Sequence, residues 1–186
     1  MPEEDNGHYL SIDLGLHNLM TCYDNVGKTF IIGREYLSLS YFYNKEIARV
    51  QSQWGRIQAA REMEDLKTSK HLQKLYRKKN DCIKDYIHKM TRYITNYCVK
   101  NDIHTVVIGD IKGICKERNL GRKTNQKLHS LPYARIYMQL EYKFKMKGIR
   151  LIRQEESYSS QCPPQSEEVS CIYAEKRNRK KRASTL

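Results

Sequence analysis

Asp13 is the acid with the clearest setting for chemistry. It lies in Tyr9-Leu10-Ser11-Ile12-Asp13-Leu14-Gly15-Leu16-His17-Asn18, where a hydrophobic strand delivers one carboxylate and ends in a glycine turn. A strand fixes carboxylate oxygens in place, which suits a hard divalent cation. An Asp at a strand end before Gly is also ordinary turn chemistry, and these ten residues alone do not separate the two readings. Asp110 closes the apolar run Thr105-Val106-Val107-Ile108-Gly109-Asp110, and Glu155 and Glu156 follow the last apolar run of the chain. Each of these is equally a solvated carboxylate at a strand end. His17, His88 and His129 could touch a substrate, but surface or packing roles are the simpler expectation.

The second chemical signal is charge. Among 186 residues, 34 Lys and Arg stand against 21 Asp and Glu, a net charge of +13. A positive field of that size favours a polyanion, most simply nucleic acid. Arg77, Lys78 and Lys84 fall on the polar side of a long helix. Lys112, Arg122, Lys123 and Lys127 fall in a basic loop at 111–131, and Arg179 and Lys180 in the tail Lys176–Arg182. All of them could instead be a solvated face. No stretch approaches the roughly 20 apolar residues of a spanning helix, so no membrane is expected. The acidic N-terminus lacks the order of a signal peptide, so the chain reads as cytoplasmic and nucleoid-associated. Six cysteines are scattered with no C-x-x-C pair, which predicts packed thiols rather than disulfides.

The elements that must position these residues follow from periodicity. Residues 8–14, 18–24 and 28–32 read as three strands whose short glycine-bearing connections imply an antiparallel meander. From about residue 39 the period becomes helical, with Tyr41, Phe42, Ile47, Val50, Trp54 and Ile57 as the apolar stripe. After a polar break at 65–69 a longer helix runs to about Asn101 on Leu72, Leu75, Ile83, Tyr86, Ile87, Met90, Ile94, Tyr97 and Cys98. These two helices predict a hairpin over about 39–101. Thr105–Asp110 suits a strand buried on both faces in parallel pairing. Pro132 opens a helix to about Lys147, Gly148 caps it, and Ile149–Arg153 is the last strand. The expected order is β-β-β-α-α-β-α-β, an α/β mixed sheet with an inserted long helical hairpin.

That order is the order of the ribonuclease H-like (RuvC) fold, and here the sequence resembles one family. Ser11-Ile12-Asp13-Leu14-Gly15-Leu16 resembles the first RuvC motif of the TnpB (OrfB) proteins of bacterial insertion sequences, RNA-guided DNA endonucleases long called transposases. Tyr43–Arg49, Asp85–Lys89, Val107–Ile114, Asn125–Pro132 and Glu155–Cys162 resemble one subgroup of it. The resemblance runs from Tyr9 to Arg182.

The resemblance implies a nuclease in which three carboxylates hold two Mg²⁺ (or Mn²⁺) ions, one readying a water and the other stabilising the leaving oxygen. It also implies DNA and a guide RNA as partners. Asp13 matches the first carboxylate. The second is a Glu in most of the family, where this chain has Gly109. In the subgroup a Glu on the neighbouring strand takes the role, and the matching position is Glu156; metal ligation is thus expected from Asp13 and Glu156. Asp110 competes, although strand alternation aims it away from the site if Gly109 holds the Glu position. Glu155 could be the inward residue instead.

The family's third carboxylate lies on a final helix that this sequence does not reach, so the core is expected to be incomplete at both ends. Residues 1–161 would form the core, and 162–186 a degenerate zinc-finger remnant with a basic tail. Cys162 and Cys171 alone cannot supply four tetrahedral ligands, so no zinc is expected. The expectation is a truncated transposon-encoded protein with impaired cleavage. A catalytically dead DNA- or RNA-binding module, or a decaying transposase fragment, is the alternative.

Overall fold

The computed structural model describes residues 6–62, 68–110 and 131–155. β1 (Tyr9–Asp13), β2 (Met20–Asp24) and β3 (Thr29–Ile32) form an antiparallel meander, with Ile12 opposite Cys22 and Cys22 opposite Phe30. β4 (Thr105–Asp110) then pairs with β1 in parallel, and β5 (Arg150–Glu155) pairs with β4 in parallel. The five strands lie in the order β3-β2-β1-β4-β5. Between β3 and β4 come α1 (Tyr36–Ala60) and α2 (Lys70–Lys100), and α3 (Tyr133–Met146) lies between β4 and β5. The chain therefore runs β-β-β-α-α-β-α-β over its described residues.

The strand period of two sorts the sheet into two sides. Leu10, Ile12, Met20, Cys22, Val106 and Ile108 point to one side and are all fully buried. They meet Ile87, Met90, Ile94 and Cys98 of α2 and Ile136, Leu140 and Phe144 of α3 in the main core. The opposite side carries Tyr9, Tyr23 and Ile31, which stay 43%, 45% and 37% exposed. Asp13 belongs to that open side.

α2 serves two cores along its length. Its C-terminal half covers the sheet, whereas Leu72 and Leu75 pack with Ile47 and Val50 of α1 in a separate cluster. The two helices of the hairpin are also stitched by polar contacts: Tyr43 OH to Cys82 Sγ at 3.0 Å, and Gln51 Nε2 donating to Tyr76 OH at 2.9 Å. The buried stripe of α1 differs from the one its apolar residues suggest. Tyr41, Phe42 and Ile57 are exposed, and the stripe is Tyr36, Ser40, Tyr43, Ile47 and Val50. The helix starts at Tyr36 rather than near 39, and spacings of four and three from Tyr36 rotate the inward face away from Tyr41 and Phe42. Hydrophobicity alone misplaces the stripe because Ser40 holds an inward position.

Both helices that feed parallel strands end in one motif. Ile103 N donates to Cys98 O at 2.9 Å after Asp102 turns left-handed (φ 54°), and Ile149 N donates to Phe144 O at 3.0 Å after Gly148 (φ 72°). These bonds satisfy the last carbonyls and bury Ile103 and Ile149 as hydrophobic latches. The motif explains why β5 begins at Arg150, one residue later than the expected Ile149: Ile149 belongs to the cap. At its N-terminus α2 is capped by Ser69, whose Oγ accepts from Leu72 N at 3.1 Å.

Two further features fix the meander to the helices. Asp24 is buried, and its carboxylate accepts from Tyr97 OH on α2 at 2.9 Å and from Val26 N at 2.9 Å. Gly33 joins β3 to α1 at φ 90°, where a Cβ would sit 2.5 Å from Leu19 Cβ and 3.1 Å from Met90 Sδ. Gly33→Ala combines a disfavoured φ with overlap against an atom fixed to the backbone, and should cost about 1–3 kcal/mol in chemical denaturation; an unchanged midpoint would contradict this packing.

Burial pushes the thiols of Cys22 and Cys98 up to about 12, and it does the same to the phenol of Tyr97, with Asp24 adding to the effect. These pKa values are raised on folding, so above the ordinary values of 9.0 and 10.0 the unfolded chain loses protons that the native chain keeps. Stability from these groups is complete below about pH 9 and falls as pH rises toward about 12. Denaturation midpoints at about pH 8 and about pH 11 should show that fall, and Tyr97→Phe, at a lower starting stability, should make it shallower.

Candidate functional site

The register of the sheet decides what stands beside Asp13. Ile12 pairs with Ile108, so the next position of β4 along from Asp13 is Gly109, and Gly109 pairs with Gln154 of β5. On its other side Asp13 pairs with Thr21. Thr21, Asp13, Gly109 and Gln154 thus form one row on the open side. β1, β4 and β5 are mutually parallel, so this row lies at their shared C-terminal edge. Such edges are where open α/β sheets place ligand sites.

α3 holds this edge in place. Tyr133 OH donates to Gly15 O at 3.3 Å, in the turn that follows β1. Tyr137 OH donates to Gly109 O at the end of β4. The guanidinium of Arg153 lies 4.7 Å from the Tyr137 ring centroid, and it also pairs with Glu141 at 3.3 Å. Gly15 itself is required by closeness, since a Cβ there would stand 2.9 Å from Asn18 O. Tyr133, Tyr137 and Arg153 carry no recognisable motif in the sequence. Their only prior sign is an aromatic repeat of four at the start of a helix.

The Asp13 carboxylate is exposed, and no described side chain or backbone N–H bonds it. It offers hard oxygen donors of the kind a divalent cation takes. Asp110 has the opposite parity to Asp13: it pairs with Glu155, on the side where Ile108 and Arg153 lie. Glu155 is the last described residue of β5, and Glu156 lies outside the described residues. Among the described residues no group of three or more His, Cys, Asp or Glu side chains could hold a metal ion. In the row Thr21, Asp13, Gly109 and Gln154, Asp13 is the one carboxylate.

The basic residues of the hairpin are exposed. Arg77, Lys78 and Lys84 project from α2 on the side opposite its buried stripe, and among the described residues none of them pairs with a carboxylate. Lys89, further along, is bound to Asp85 at 2.7 Å. His17 is exposed beside the Asp13 turn, and His88 is half-buried with its carbonyl accepting from Lys143 Nζ at 2.9 Å. Lys112, Arg122, Lys123, Lys127, His129, Arg179 and Lys180 lie outside the described residues, as do Cys162 and Cys171. Two further cations, Lys79 and Arg135, were not marked by the sequence pattern, although both line a cleft beside α1. Among the described residues no helix is long and apolar enough to cross a membrane.

The sequence model of the OrfB_IS605 family, described as a probable transposase, matches residues 1–115. No curated protein matches the chain. Among solved structures, the fold is similar to the cryo-EM structure of a Cas12f1–sgRNA–target DNA complex, with a TM-score of 0.60 and 19% identity. That alignment covers 95% of this chain and 44% of the other. A CRISPR-Cas12f ternary complex matches with a TM-score of 0.58 and 18% identity, over 96% of this chain and 36% of that one. This chain thus spans less than half the length of either structure, and likeness at these identities establishes the fold, a ribonuclease H-like mixed sheet. With the family match extending over more than half of its residues, the chain belongs to the OrfB (TnpB) transposase family.

Proposed function

We propose that this chain is a nucleic-acid-binding RuvC core of a transposon-encoded, RNA-guided DNA endonuclease, with Asp13 and Glu156 as its divalent-cation ligands. DNA and a guide RNA are its partners in this reading, as sgRNA and target DNA are in the Cas12f1 complex. The observation that carries it is the position of Asp13: an exposed carboxylate at the common edge of three parallel strands, beside Gly109. A bound Mg²⁺ or Mn²⁺ would activate water and stabilise charge on the leaving oxygen.

The chain's own residues have simpler tasks. Asp13 supplies hard oxygens, and Gly109 leaves the space beside it free of a side chain. Tyr133 and Tyr137 fix the two strand ends through Gly15 O and Gly109 O. The choice of Glu156 follows the resemblance of the sequence to the family's subgroup, and strand parity counts against Asp110. Gln154 shares the Asp13 row, whereas Asp110 lies in the next row and has the opposite parity.

Two measurements test the reading. In a plasmid-nicking assay with Mn²⁺, the chain should nick DNA, and both Asp13→Ala and Glu156→Gln should abolish the nicking without changing DNA affinity. Nicking that persists in Asp13→Ala would remove Asp13 from the chemistry. No nicking under any metal condition, with affinity intact, would favour a binding module without catalysis. Separately, replacing Arg77, Lys78 and Lys84 together by Gln should lower the slope of log K against log salt for duplex DNA by about 0.9 for each phosphate no longer neutralised. An unchanged slope would make that face of α2 merely solvated.

A further inference from the structure

A cleft of about 430 Å³ opens between the start of α1, the middle of α2 and the first turn of α3. Its walls include Tyr36, Lys79, Asn80, Pro132 and Arg135, with no carboxylate among the described lining residues. We infer that this cleft is a phosphate-binding site in which Lys79 and Arg135 grip one phosphate group of a bound nucleic-acid strand.

Partial burial without a described acid partner supports this. Exposed cations are either paired, as Arg49 is with Glu46 at 3.1 Å, or solvated, as Arg77, Lys78 and Lys84 are. Lys79 and Arg135 are each half-buried, yet among the described residues neither pairs with an acid. The Lys79 ammonium donates to a neutral acceptor, Asn44 Oδ1, at 2.7 Å. Burial lowers the Lys79 pKa, as partial loss of water around an ammonium does. Arg135 reaches the same cavity from the facing helix, and its charge acts on the buried Tyr36 hydroxyl at the cleft wall. Two cations facing one cleft, with no acid partner among the described residues, favour an anion between them.

The chemistry of the walls selects phosphate. A guanidinium offers a planar fork of donors and an ammonium a mobile point charge, and together they suit a tetrahedral oxyanion approached from two sides. The first turn of α3 adds to this. Pro132 gives it no side-chain cap, and Ala134 and Arg135 of that turn line the same wall. The source of the phosphate rests on the nucleic-acid reading above; the cleft's affinity for a phosphate group does not.

The test uses the full chain and two probes, a fluorescent single-stranded oligonucleotide and inorganic pyrophosphate. Lys79→Gln and Arg135→Gln should each weaken oligonucleotide binding several-fold. Lys79→Gln and Arg135→Gln combined should reduce the salt slope by about 0.7, the share of one single-strand phosphate. Arg135→Lys should keep most of the affinity, and circular dichroism should report an unchanged fold for every variant. If wild type binds the oligonucleotide and both Gln variants match it in affinity and slope, the cleft is no phosphate site, although nucleic-acid binding stands. If wild type ignores the oligonucleotide but pyrophosphate raises its melting temperature in a Lys79- and Arg135-dependent way, a free phosphate compound is the ligand and the nucleic-acid reading fails instead. If neither probe responds, both fall.

Discussion

Parallel pairing of β1, β4 and β5 is the constraint from which the site follows. Two strands that are adjacent in space but nearly a hundred residues apart in sequence must end at the same edge, and their register allows no slippage. A shift of one residue between β1 and β4 would move Ile108 out of the core and put Asp110, not Gly109, beside Asp13. The buried side of the sheet therefore selects the register, and the register selects what stands next to the carboxylate. Burial of Ile12 and Ile108 against α2 and α3 is in this sense a condition on the chemistry as well as on the fold.

The helices divide the remaining work. α2 is long because it serves both the sheet and the hairpin with α1, and its outward side is left to Arg77, Lys78 and Lys84. α3 ties together what the sheet leaves loose, through Tyr133 and Tyr137 at the strand ends and through a buried polar bridge to α2. In that bridge Thr91 Oγ1 lies 3.0 Å from Gln139 Oε1 and accepts from Lys143 Nζ at 2.6 Å. Fixed polar contacts of this kind set the orientation of α3 against α2 more narrowly than apolar packing alone.

Much of this was legible in the sequence, for identifiable reasons. The meander, the two long helices, the parallel strand at Thr105–Asp110 and the Pro132–Gly148 helix all carry strong periodicity with turn or cap residues at their ends. Asp13 was legible because a lone acid interrupts an apolar strand just before Gly15. The α1 stripe was not, because Ser40 is buried while Tyr41, Phe42 and Ile57 are exposed, an inversion that hydrophobicity cannot anticipate. Gly33 was equally silent: its constraint comes from Leu19 and Met90, distant contacts with no local signature. Lys79 and Arg135 looked like two basic residues among many until the fold set them on facing walls.

The central claim is that Asp13 marks a divalent-cation site at the edge shared by β1, β4 and β5. Paramagnetic broadening by substoichiometric Mn²⁺ in backbone amide spectra of the whole chain tests it most directly. The account predicts broadening centred on Asp13–Gly15, Gly109 and Gln154, sparing Lys143 and Met146, and lost in Asp13→Ala. Broadening centred elsewhere, or an unchanged pattern in Asp13→Ala, would contradict it.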